Sequence, residues 1–124
     1  RASKQWDEYS KTLSNDISKI NEIITRHSNI QTHEEVTNYI SELTPRLQAY
    51  HTHLLEARNL LNAYGYLFSN GSKLKSNVDE SLIQLGTFTN KLTSGINQYN
   101  AQIQAQNSEQ EAIYNFLKIL AYGL

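Results

Sequence analysis

The sequence predicts an all-α fold, an antiparallel up-down-up bundle of three long helices followed by a shorter apolar fourth helix. Three observations predict it. Apolar residues recur three and four positions apart through most of the chain. Only one proline and five glycines interrupt that pattern. At 124 residues the chain has the size of one domain, 1–124, able to bury roughly two-thirds of its unfolded surface without a disulfide or metal.

The first helix is expected over about 2–30, with Trp6, Tyr9, Leu13, Asp16, Ile20, Ile23, His27 and Ile30 on one stripe that Ile17 and Ile24 widen. Thr32-His33-Glu34-Glu35 reads as a capping box, a hydroxyl and a carboxylate three residues apart that satisfy each other's free backbone donors. It opens the second helix, expected over about 33–68, whose stripe runs Val36, Ile40, Leu43, Leu47, Tyr50, Leu54, Ala57, Leu61, Tyr64 and Phe68. The apolar phase survives Pro45, so one kinked helix is expected rather than two. Ser69-Asn70-Gly71-Ser72 supplies a turn, and the third helix follows over about 74–106 with Val78, Leu82, Leu85, Thr89, Leu92, Ile96, Tyr99 and Ile103 inward. Ser108 with Glu111 offers a cap for the fourth helix, over about 108–122.

Folding the first two stripes about Gln31-Thr32 sets Trp6 against Ala57, Leu13 against Tyr50 and Ile20 against Leu43. Folding the third back about Lys73 sets Ala57 against Thr89, Leu54 against Leu92 and Tyr50 against Ile96. The Trp6 layer then pairs one large residue with two small ones, as close packing requires. A heptad slip preserves the same periodicity. Helices of about 30 residues give a rod roughly 45 Å long. This layout resembles a spectrin-type three-helix repeat in helix number, helix length and the aromatic early in the first helix, Trp6.

Net charge is −1 with the two signs interspersed, and no basic stripe of the kind nucleic-acid binders carry is visible. Asn, Gln, Ser and Thr make up about a third of the chain, a polar uncharged surface that leans towards an extracytoplasmic or secreted setting. Absence of cysteine excludes disulfides, thiolate metal sites and a cysteine nucleophile. The chain lacks methionine and opens on Arg1, which points to a trimmed or processed product of a longer parent. No apolar stretch reaches the roughly 18–20 residues of a membrane span.

No enzyme motif stands out, and neither a cofactor, a metal nor a small-molecule substrate is expected. His51 and His53, two apart on a helix, point to opposite edges of the Tyr50/Leu54 seam and read as solvated or edge histidines rather than metal ligands. His27 reads as a hydrogen-bonded histidine at the end of the core. Asp16 falls on the stripe, which leaves two readings. Either the Tyr99 hydroxyl donates to a buried Asp16, or the helix rotates to bury Ile17 and leave Asp16 wet. Gly86 and Gly95 sit inside the third helix at a cost of about 1 kcal/mol each, which favours close approach of a neighbouring helix. Tyr64 and Phe68 read as a core plug at the rod tip, while Tyr66 lies off the seam as a candidate contact residue. Asn70-Gly71-Ser72 is also a glycosylation sequon, meaningful only in a secretory pathway.

The last helix is apolar on most faces, and Phe116, Ile119, Leu120 and Tyr122 are the further candidate interaction residues. It either folds back onto the bundle, meets another subunit, or contacts a membrane. The functional reading is a non-catalytic interaction or sensor module with a protein partner, placed in the extracytoplasmic part of a membrane-attached protein. Two alternatives stand beside it. One is an intracellular or viral coiled coil that self-associates through the tail, the other a membrane-active bundle that releases its fourth helix into lipid.

Overall fold

A computed structural model describes residues 1–120, and they form an all-helical fold of four helices packed against one another. The helices are α1 (Ala2–Arg26), α2 (His33–Tyr64), α3 (Gly71–Gln104) and α4 (Glu109–Ile119), with one 3-10 turn at Gly65–Leu67.

Helix ends follow local chemistry. Thr32 caps α2 as its spacing implies, its hydroxyl oxygen accepting from the Glu35 N–H at 3.1 Å. Pro45 lies inside an unbroken α2. α1 stops at Arg26, four residues before the expected end, because His27–Asn29 form a turn that swings Ile30 into the core. α2 stops at Tyr64 rather than 68 and α3 starts at Gly71 rather than 74. Gly71 and Gly65 lie in near contact, since a Cβ on Gly71 would sit 2.0 Å from the Gly65 carbonyl oxygen. α3 ends in a Schellman motif, with Gln106 N–H donating to the Ile103 carbonyl and Asn107 N–H to that of Gln102. Gln106 adopts φ 60°, the left-handed conformation usually given to glycine. α4 begins at Glu109 after Ser108, whose side chain makes no cap hydrogen bond.

α2 is the central element. α1 packs along α2, α3 along its other side, and α4 folds back on α3 and reaches the first turns of α2. α1 is shorter than α2, and its end, at Arg26 and His27, meets Glu42. The uncovered start of α2 is where α4 sits. Tyr39 is the hinge of this arrangement, tilted against His27 at 5.2 Å and edge-on to Phe116 at 6.5 Å. Ala112, Ile113 and Phe116 are buried in the same core cluster as α1, α2 and α3 residues. A fully buried Phe or Ile contributes about 1.5–3 kcal/mol, enough to hold so short a helix. Gly95 makes room for it, with Phe116 and Ile119 atoms 3.4 and 3.5 Å from where a Cβ would lie. Gly86 meets nothing within 4 Å, so the close approach expected at both glycines occurs at one.

The α2/α3 register differs from the one the stripes were folded into. Tyr50 lies beside Ser81 rather than Ile96, a shift of about two heptads. Thr89 is exposed beside Thr44 and Leu47, and Trp6 shares a hollow with Leu67, Phe68 and Leu74 instead of Ala57 and Thr89. The α2/α3 shift follows from the chain reversal at Gly65–Asn70, ahead of Lys73, and α1 lies about one heptad from its expected place on α2, with Asp16 against His53 and Arg26 against Glu42. The buried face of α3 accordingly includes Phe88 and Gly95, and that of α2 includes Tyr39 and Leu60.

These environments give three substitutions opposite expected effects on the thermal midpoint. Gly71→Ala forces a methyl into the Gly65 backbone and should cost about 3 kcal/mol, at the upper end of overpacking costs. Gly86→Ala, at an open helical site, should gain up to about 1 kcal/mol. Gln106→Gly should gain about 1 kcal/mol by relieving the left-handed strain.

Candidate functional site

Three histidines join helices. Asp16 is buried, and His53 Nδ1–H donates to its Oδ2 at 2.5 Å. The first reading of Asp16 holds for its burial and fails for its partner. Asp16 faces inward while Ile17 is exposed, and it is the seam-edge His53, not Tyr99, that meets it. Tyr99 lies elsewhere, hydrogen-bonded to His33 Nδ1 at 2.6 Å with the two rings stacked. His27 Nε2–H donates to Glu42 Oε2 at 2.7 Å, and Arg26 reaches the same oxygen at 3.1 Å. The His27 hydrogen bond, with Arg26 beside it, holds the Glu42 carboxyl below its usual range. Burial raises the phenol pKa of Tyr39, Tyr50 and Tyr99 above the usual 10.0. Every buried side-chain nitrogen and oxygen among the described residues has a hydrogen-bond partner.

Chemically these pairs fasten helices. An Asp–His pair can orient a general base, but among the described residues no hydroxyl hydrogen-bonds His53 in turn. Nor does any group of three His, Asp or Glu among the described residues converge on a point where a metal would sit. No described helix is long and apolar enough to cross a membrane. A groove of about 440 Å³ between α2 and α3 has a floor of Leu47, Leu85 and Leu92 under a rim of Gln48, His51, Thr89 and Asn90. It contains no nucleophile–base pair.

The feature that stands out is the tip at the α2/α3 reversal. Tyr66 is 81 % exposed, Leu67 59 % and Tyr64 47 %. They protrude because the Gly65–Gly71 contact closes the turn behind them with Phe68 half-buried as its plug. Tyr64 is thus part of the exposed surface and not of the core plug. Leu67 was overlooked in the sequence, although it lies on no stripe and adjoins a glycine-bounded turn. Lys73 and Lys75 line a hollow on one side of Tyr66, and Arg1 and Trp6 share another with Leu67.

The other candidate residues scatter. Phe116 is 1 % exposed, packed against Tyr39 and Tyr99, and so is a core residue with no free surface. Ile119 and Leu120 are half-buried. Tyr122 lies outside the described residues. The outward side of α4 instead shows Tyr114, with the Lys118 ammonium 5.3 Å over its ring.

No protein-family model, curated protein or solved structure matches the chain. The likeness to a spectrin-type repeat therefore rests on helix number, helix length and the early aromatic Trp6 alone.

The Asp16–His53 pair should show strong coupling in a double-mutant cycle followed by thermal unfolding. His53→Leu leaves a buried carboxylate unpaired and should cost about 1–3 kcal/mol. Asp16→Leu added to it should recover much of that loss, whereas additive costs would mean the pair is not coupled. Glu42 gives a pH signature. Its folded pKa is depressed, so its contribution is present above the ordinary value of 4.5 and is lost as pH falls through the folded value. The stability gap between the native chain and Glu42→Gln should be open at neutral pH and close on acidification below 4.5.

Proposed function

We propose that the chain is a single-domain, up-down-up antiparallel bundle with α4 folded back, acting as a non-catalytic interaction module through the Tyr66 tip. The order of the helix contacts supports the antiparallel path. Asp16 meets His53 while Arg26 meets Glu42, and Tyr50 lies by Ser81 while His33 meets Tyr99. One observation carries the functional reading: Tyr64, Tyr66 and Leu67 are all exposed at one chain reversal, which the Gly65–Gly71 contact closes. Exposed clusters of aromatic and aliphatic side chains on otherwise polar proteins are contact surfaces, and aromatic residues are the usual anchors. The polar, uncharged remainder of the surface supports an extracytoplasmic setting.

Self-association through α4 has less support, because Phe116 is spent on the core. A photo-reactive residue at position 66, introduced in the native cell, should give discrete adducts that the same residue at exposed Gln84 does not. Indistinguishable adduct patterns at the two positions would remove the tip from the proposal.

A further inference from the structure

We infer that the tip docks on an anionic lipid surface, with Leu67 and Tyr66 entering the headgroup boundary and Lys73, Lys75 and Arg1 against the lipid phosphates. The inference rests on the tip being a contact surface and names what it contacts.

Two observations point to lipid. The first is the pairing of chemistries at the tip. An aliphatic side chain and two tyrosines protrude between hollows lined by Lys73 and Lys75 on one side and Arg1 on the other. Tyrosine concentrates at membrane–water boundaries, where its ring is apolar and its hydroxyl wet, and basic side chains beside it reach the phosphates. Among the described residues Lys73 makes no ion pair, while Lys75 is held by Asp79 at 3.3 Å. Asp7 and Glu8 directly follow Trp6 on the second turn of α1, and Asp79, which holds Lys75, and Glu80 lie on the third turn of α3.

The second is the distribution of charge along the molecule. Glu34, Glu35, Glu109 and Glu111 lie at the other end, around the starts of α2 and α4, which the Gln110–Gln31 hydrogen bond ties together. α3, with 34 residues, separates the ends by about 50 Å, well beyond the Debye length of about 8 Å at physiological salt. An anionic surface therefore attracts one end and repels the other, which stands the rod upright on its tip.

The molecule contains its own probe. Trp6, its single tryptophan, is half-buried in the hollow it shares with Leu67 and Arg1. The experiment adds vesicles of phosphatidylcholine containing a quarter phosphatidylserine, and separately vesicles of pure phosphatidylcholine, at low salt. Cosedimentation and a blue shift of Trp6 emission are expected with the anionic vesicles alone and should be reversed by salt. Lys73→Gln should weaken vesicle partition about fivefold, the usual weight of one basic residue near an anionic surface. Tyr66→Ser combined with Leu67→Ser should abolish it while leaving the helical circular dichroism unchanged, since both side chains are exposed.

Absence of binding to anionic vesicles overturns the inference, as does equal binding to pure phosphatidylcholine. Undiminished binding by the double-serine variant overturns it too, by assigning lipid contact to another surface such as α4. Protein adducts at position 66 without vesicle binding would leave the tip as a contact surface and replace lipid by a protein partner.

Discussion

The near contact of Gly71 with Gly65 is the constraint on which the rest of the structure depends. It brings two helix backbones together where any side chain would separate them, and so fixes how α3 lies along α2. Other placements follow from that register. Tyr99 arrives at His33, Leu47 and Leu85 share the floor of one groove, and Gly95 comes to rest where α4 can cover it. The same contact pushes Tyr66 and Leu67 outward, because a turn with no room inside it must put its side chains outside.

On this pair of helices α1 is held by a different kind of contact. Its apolar residues near the N-terminus, Trp6, Tyr9 and Leu13, are only half-buried. A hollow lined by Trp6, Leu13, Leu74 and Val78 separates it from α3. What specifies its position on α2 is polar, with Asp16 on His53 mid-helix and Arg26 and His27 on Glu42 at the end. Apolar stripes tolerate a slip by one heptad; a buried carboxylate that must meet one imidazole does not. The short α1 in turn leaves the start of α2 bare, and α4 fills it with Phe116 against Tyr39 and Tyr99.

Helix number, the Thr32 cap and the continuity of α2 through Pro45 were legible in the sequence, because each depends on local spacing, and a close helix approach at one of Gly86 and Gly95 was legible from its cost, though not which glycine or which helix. Register was not. A periodic stripe carries the same information at every heptad, and the choice turned on Gly65 and Gly71, which look like ordinary turn residues until their backbones are seen to touch. His53 was read as a solvated or edge histidine for a related reason. Its position at the seam edge is correct, but the presence of Asp16 opposite depends on how α1 lies on α2. Of the contact surface, Tyr66 could be read from its place off the stripe. Phe116 could not be excluded, since an apolar helix shows which residues seek burial without showing which find it first.

Among the described residues only α2 brings its backbone close to α1, whereas α2, α3 and α4 each touch the other two. α1 thus lies as an outer helix on a contiguous three-helix stretch, 33–119, with Ile20 and Ile23 joining the common core. Most helix packing joins neighbours along the chain, with α4 reaching past α3 to α2, a largely sequential topology that favours rapid assembly. α1 packs on α2 alone, so its detachment would leave the other three helices in contact. The partly open state so produced bares the α2 surface that α1 had covered and leaves the α2/α3 turn, with its aromatic tip, intact.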